Sequence, residues 1–345
     1  MPKLKAKILF LITVTIVAVI LIVFSLKALF NPLEPTLPQG FLETEEEFFY
    51  RHPLSGQKTK EPIDFYPIVA VIDNAYNTRP QYGLEEADII YEALAEGNIT
   101  RLLAIFDHRK NVDKLGPIRS ARPYFMDWAD EYGGIYMHVG GSPDALAKIN
   151  SYDFVNIDEM GANGIYFWRD QNLSAPHNVF TSTANWLRIA EMKEVNNCDQ
   201  SIIWNFVDVD QNFQSLVPDF SLNFTQAYQV DWKFNQKLGA YQRYQAEEKF
   251  LFASGEQISA TNIIVQIIPS PIIDDKERRS MDTKKGGTVF VFNHFGLQKG
   301  VWAFAEGRTR FLDEEGQELK LIPGKTWVQI IPSESFLTVA ELEND

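Results

Sequence analysis

Residues 87–106 read ADIIYEALAEGNITRLLAIF, and residues 116–139 read GPIRSARPYFMDWADEYGGIYMHV. In the first stretch two apolar runs, Ala87–Ala95 and Ile99–Phe106, flank Glu96-Gly97-Asn98. Apolar runs on either side of a Gly-Asn turn predict a β-hairpin. In the second stretch Phe125, Trp128, Ala129 and Tyr132 recur at i, i+3, i+4 and i+7, which is one helix face. Gly133-Gly134 stops that helix, and Ile135–Val139 reads as a further strand. A hairpin followed by a helix and a single strand predicts an α+β domain rather than a regular βαβ series.

The pattern extends outward on both sides. Ile68–Ile72 is an apolar run ended by Asp73-Asn74, so a buried strand is expected there. Ser142 and Pro143 fit the N-cap and first position of a short helix. Gly164–Trp168 reads as a strand, and Thr183–Val195 as a helix capped by Thr181 or Ser182. Later the reading changes. Tyr228, Val230, Trp232 and Phe234 alternate with polar residues, a period of two. Ile263–Ile267, Thr288–Phe292, Val301–Ala305 and Thr326–Ile331 are further strand-like runs. Asp274–Gly287 (DDKERRSMDTKKGG) is polar and is expected to be a mobile loop. The expected order is therefore a tether over 31–62, an α+β domain over 63–205, a linker over 206–223, and a mostly β domain over 224–340. Residues 225–345 are expected to fold alone as a β-rich unit.

The N-terminus carries its own signal. Ile8 to Leu26 is 19 residues without a charge. As a helix it would span about 28 Å, close to a bilayer core. Lys3, Lys5 and Lys7 precede it. The positive-inside rule then puts the N-terminus in the cytoplasm and the rest outside. No A-x-A-like cleavage site follows, so residues 1–30 are expected to be an uncleaved, single-pass signal anchor rather than a signal peptide.

Composition excludes several classes. The chain has a formal net charge of −14, which argues against non-specific nucleic-acid binding. A single cysteine, Cys198, rules out an intramolecular disulfide and a Cys₄ or Cys₂His₂ zinc site. Ser120 and Ser142 lie outside any G-x-S-x-G setting, so a hydrolase elbow is not supported. No metal site is expected, and no cofactor is identified.

The best chemical candidate is Gly116-Pro117-Ile118-Arg119-Ser120-Ala121-Arg122-Pro123. Arg119 and Arg122 are neighbours if this turn is helical, and two guanidinium forks at a helix start suit a phosphate or carboxylate. The competing reading pairs them with local acids such as Asp107, Asp127 or Asp130. Asp73 and Asn74, at a strand end, are expected to line the same cleft. Asp127, His138, Ser142, His177 and Asn178 are the further cleft candidates, set beside glycine- or proline-marked loops or on the adjoining helix. Asp127 with Glu131, one turn on, also reads as a solvated face, and a lone strand histidine such as His138 as a satisfied core residue. Trp232, Trp302 and Trp327 read as core aromatics, with a stacking surface as the rival.

These motifs resemble a family. Pro53-Leu54-Ser55-Gly56, Ile72-Asp73-Asn74, Arg79-Pro80-Gln81, Ala87-Asp88-Ile89-Ile90-Tyr91-Glu92 and Glu96-Gly97-Asn98-Ile99-Thr100-Arg101 are similar to the YerB-like family of bacterial lipoprotein-type proteins. So are Gly116–Arg122, His138-Val139-Gly140-Gly141-Ser142 and His177-Asn178, with Gly300-Val301-Trp302 and Gly324-Lys325-Thr326-Trp327 in the second half. The similarity covers about residues 50–335. It implies a two-domain exported protein of unknown biochemical function. Family members often carry a lipobox cysteine; here none lies near the apolar run, and a membrane helix is expected to replace the lipid.

Two function classes follow. The leading one is a membrane-anchored extracytoplasmic binding or scaffold protein of the bacterial envelope. It would meet the membrane through its helix and an anionic small molecule or cell-wall component through the arginines; no protein partner is identified. The alternative is an envelope enzyme acting on a phosphate-linked, cell-wall-precursor-like substrate. The order of a strand before an arginine-rich segment is similar in layout to LytR–CpsA–Psr transferases, whose arginines grip a lipid-linked pyrophosphate. No residue is carried over from that likeness. A deep cleft holding Asp73 and His138 would favour the enzyme; a filled, ion-paired site would favour the scaffold.

Overall fold

The computed structural model describes residues 7, 13–23, 49–195, 204–209, 216–225 and 228–341. Residues 13–23 are helical, with exposed apolar side chains. Among the described residues no helix is long and apolar enough to cross a membrane. The rest of the expected span lies outside the described residues, as does Cys198.

The folded body starts at residue 49, earlier than the composition suggests. Tyr50–Arg51 and Lys58–Thr59 pair as a small antiparallel ribbon. Between them Leu54 is fully buried. The expected tether thus contributes its last part to the fold, because one buried leucine outweighs a locally polar, proline-rich composition.

The first half supplies strands β1 (Pro67–Asp73), β2 (Ile89–Leu94), β3 (Thr100–Asp107), β4 (Ile135–His138) and β5 (Val155–Asp158). Its helices are α1 (Pro123–Asp130), α2 (Pro143–Lys148) and α3 (Thr183–Lys193). Every residue of β1, β2 and β3 is buried. These strands are covered on both faces, so they read as continuous apolar runs instead of alternating ones. The β2–β3 pair is the expected hairpin. α1 begins with Pro123 at its first position and buries Phe125, Trp128 and Ala129. Gly134, at φ +74°, leads into β4; a side chain there would meet the Pro67 carbonyl oxygen at 2.1 Å, so glycine lets the chain turn against β1. Ala162–Tyr166 is a 3₁₀ turn, not a strand: Ile165 is exposed and only Trp168–Arg169 pairs, with Val179–Phe180.

The second half is mostly β. β6 (Phe220–Thr225), β7 (Tyr228–Asn235) and β8 (Ala240–Gln245) form the body of a smaller sheet. β9 (Asn262–Ile267), β10 (Gly287–Asn293), β11 (Gly296–Ala305), β12 (Arg308–Leu312) and β13 (Thr326–Ile331) follow, and β14 (Leu337–Val339) closes on β6. Trp232, Trp302 and Trp327 are core residues, fully or almost fully buried.

The two halves do not keep separate sheets. One ten-stranded sheet runs β12-β11-β10-β9-β13-β2-β3-β1-β4-β5. β13 lies parallel to both β9 and β2. Residues 49–345 accordingly form one unit. A buried polar hub ties it together. Glu92 on β2 and Arg243 on β8 are both fully buried, and Arg243 Nη2 donates to both Glu92 oxygens at 3.0 Å. Thr100, Trp327 and Gln329 donate to the same carboxylate at 2.7, 3.1 and 2.7 Å. A buried charge with this many donors tolerates its site, while removing one partner of such a pair costs about 3–5 kcal/mol.

Candidate functional site

At the end of β1, Asp73 is buried and its carboxylate is held on several sides. Oδ1 accepts the Ala75 N–H at 3.0 Å. Oδ2 lies 2.9 Å from Arg119 Nε and 2.6 Å from His177 Nδ1. Arg119 comes from an extended segment, since its N–H donates to Val71 O and Ile118 bridges Ile72. The helix starts only at Pro123, so Arg119 and Arg122 do not meet as neighbours on a helical turn. They converge because residues 117–121 run along β1 while Ala121 bridges Gly141.

The hairpin tip closes the other side. Glu96 Oε1 accepts Arg122 Nε at 2.5 Å, and Glu96 Oε2 accepts Arg101 Nη2 at 3.0 Å. Burial alone would raise the Glu96 carboxyl; the Arg122 hydrogen bond and the charges of Arg101 and Arg122 overcome this and lower it. Arg101 is pushed down to about 10, first by burial and then by the neighbouring Arg122 charge.

Between these groups lies an open cleft of about 410 Å³ lined by Asp73, Glu96, Arg101, Arg119, Arg122 and His177, with Ser142, Lys276 and Arg278 at its border. Five cations thus line it against two carboxylates, and one of the five, Arg278, is paired with Asp274 beside it. Both Nη atoms of Arg119 and Nη2 of Arg122 have no protein partner among the described residues and are not sealed from solvent. Arg278 Nη1 is buried without a partner among the described residues.

The expected cleft residues separate into two sets. Asp73, Ser142 and His177 line the cleft with the two arginines. Ser142 also caps α2 by accepting the Ala145 N–H. Asn74, Asp127, His138 and Asn178 stand elsewhere. Asn74 is fully buried behind the cleft, donating to Thr100 Oγ1 at 2.9 Å and to Tyr228 OH. His138 is fully buried, with Gly140 O and Asn156 Oδ1 each 2.7 Å from its ring nitrogens, so it is a satisfied core histidine. Asn178 is buried between Arg169 and the Asp170 carbonyl. Asp127 accepts from Tyr152 and Thr283 and borders an adjoining groove. Glu131 turns instead to Thr309, so the two carboxylates do not share a site. The arginines' acids are Asp73 and Glu96, not Asp107, Asp127 or Asp130.

Arg101, Glu96, Lys276 and Arg278 are the cleft residues that sequence reasoning missed. Lys276 and Arg278 sit in the loop expected to be mobile. That loop is tied down: Arg279 donates to Ser270 O at 2.6 Å and Asn98 Oδ1 at 2.5 Å, and Glu277 accepts the Gly97 N–H at 3.1 Å. The Glu96–Arg101 spacing across a tight turn was the available signal for the other two.

Comparison with known proteins gives a consistent result. Residues 54–196 match the family model described as "Protein of unknown function (DUF3048) N-terminal domain", and residues 220–328 match its C-terminal domain. The chain is 30% identical over 300 residues to "Putative lipoprotein YerB" of Bacillus subtilis (strain 168), covering 84% of this chain and 89% of that protein. The crystal structure of the YerB protein from Bacillus subtilis is similar with a TM-score of 0.76 at 29% identity, covering 85% of this chain and 100% of that one.

Proposed function

We propose, on the premise that this chain belongs to the DUF3048 family of proteins of unknown function, that it is an envelope protein binding a phosphate-bearing ligand in the Arg119–Arg122 cleft. One observation carries the reading. In a chain of net charge −14, five cations line one open cleft against Asp73, Glu96 and the Asp274 that pairs with Arg278. Such a reversal of local sign concentrates anions that the rest of the surface repels. Guanidinium groups match phosphate oxygens in geometry as well as charge.

The place in the cell is part of the same proposal. The lysines before the apolar run support an anchor with the folded body outside the cytoplasm. The lipoprotein name of the Bacillus relative fits a membrane-associated envelope location. A body found free of membranes in fractionated cells expressing the full chain would overturn the anchor.

The test of the ligand is calorimetric titration of the folded body with inorganic pyrophosphate. A charge-assisted hydrogen bond contributes about 1.5–3 kcal/mol. Arg119→Ala and Arg122→Ala are each expected to weaken binding at least about tenfold. Binding should also fall as salt rises. No heat and no thermal shift in the wild type at millimolar pyrophosphate would remove the reading. Lower melting temperatures in both variants with unaltered ligand response would make the arginines structural.

A further inference from the structure

The cleft contains one group that anion binding does not require. His177 sits on its wall with Nδ1 2.6 Å from the buried Asp73 carboxylate. Against a carboxylate acceptor Nδ1 is the donor, and in the neutral ring Nε2 then keeps a lone pair. Nε2 has no partner among the described residues and is not buried. The ring is only partly exposed, with 24% of the side chain accessible. Asp73 itself cannot swing away, because Ala75 N–H and Arg119 hold it from other directions. A histidine oriented by a fixed carboxylate on the wall of a cleft is the arrangement that proton abstraction needs.

We propose that His177 is a general base, positioned by Asp73, for attack of water on a condensed phosphate (P–O–P) held by the cleft arginines. This rests on the phosphate-binding reading above. The substrate class follows from what the cleft lacks. Its other carboxylate, Glu96, is paired with two guanidiniums and held in its ionised form. Both carboxylates that line the cleft among the described residues are paired, Asp73 with Arg119 and His177 and Glu96 with two arginines, so neither is placed to protonate an alkoxide leaving group. A phosphate leaving group needs no proton, and the surplus cations stabilise the charge it carries away.

The step balances without a further reactant. Nε2 takes one proton from water as the water oxygen bonds to phosphorus. The bridging P–O bond breaks, and its electron pair leaves with the departing phosphate. The imidazolium then returns its proton to solvent. One water is consumed and two phosphate ends are formed.

Pyrophosphate serves as the probe for both questions. Binding is read by calorimetry, and turnover by ³¹P NMR of released orthophosphate, on the wild-type body and on His177→Gln. The expected result is orthophosphate release by the wild type, slowed about 100-fold or more in H177Q, while H177Q still folds and still binds pyrophosphate. Pyrophosphate bound by the wild type but never cleaved would overturn the base and leave the binding reading standing. Equal turnover in wild type and H177Q would also overturn it. Failure of the wild type to bind would remove the reading on which the proposal rests.

Discussion

Glu131 is a residue whose ionisation couples to stability. It follows α1 and places both carboxylate oxygens on Thr309, at 2.7 Å from its N–H and 2.8 Å from its hydroxyl. Burial pushes this carboxyl up from 4.5 to about 7, against the pull of the Thr309 donors. A folded-state value above the unfolded one means the folded state holds its proton longer. Glu131 therefore contributes stability that is complete below pH 4.5 and fades as the pH climbs through 7. Glu131→Gln is expected to remove this dependence: relative to the wild type it gains on the order of 2 kcal/mol between pH 5 and pH 8. Urea melts at both pH values measure it, and parallel curves for the two proteins would contradict it. Single residues were also where sequence reading had least reach. Arg119, Arg122, Asp73, Ser142 and His177, each at a strand end, a cap or a proline-marked loop, do line one cleft. His138 follows the core reading of a lone strand histidine, and Asn74 lies behind the cleft, because nothing local tells a buried, fully bonded polar side chain from one facing solvent.

At the scale of elements, periodicity was a good guide where one face is buried. α1 and the alternating strand from Tyr228 follow from it, whereas the hairpin strands, buried on both faces, were legible as continuous apolar runs around a Gly-Asn turn. It misled at residues 164–168, where an apolar run forms a 3₁₀ turn with Ile165 outside. It also misled at the loop 274–287. Polar composition suggested mobility, yet the loop's arginines and threonine find partners on the hairpin tip and on α1. Arg279 donates to Ala95 O, Asn98 and Ser270 O. Thr283 donates to Asp127. Arg279→Ala removes three of these bonds and is expected to cost about 1–3 kcal/mol in all. Amide hydrogen exchange over residues 270–285 should accelerate, and pyrophosphate binding should weaken because Arg278 and Lys276 lose their support. Unchanged exchange in that stretch would show that the loop is held by other contacts.

Across the whole molecule, the shared sheet decides how the parts depend on one another. Residues 216–341 expressed alone would leave β13 with an unpaired edge and Arg243 without Glu92. That fragment is expected to show no cooperative thermal transition by circular dichroism, and to regain one when residues 49–209 are supplied. A sharp melt of the fragment by itself would mean that the halves are self-sufficient after all. Sequence reading assigned the halves correctly as α+β and mostly β but treated them as separate, since no local pattern announces a partner strand so far away. Gln329 on β13 and Glu92 on β2 are 237 residues apart in the chain yet bonded at 2.7 Å. This distance has a consequence in time. A ribosome adds about 5–20 residues each second. During synthesis β2 therefore waits on the order of ten to fifty seconds with one side unclaimed, presenting bare amides, and its carboxylate lacks a counter-ion until Arg243 is made. A newborn chain of this kind calls for a chaperone that shields that edge until the last strand arrives.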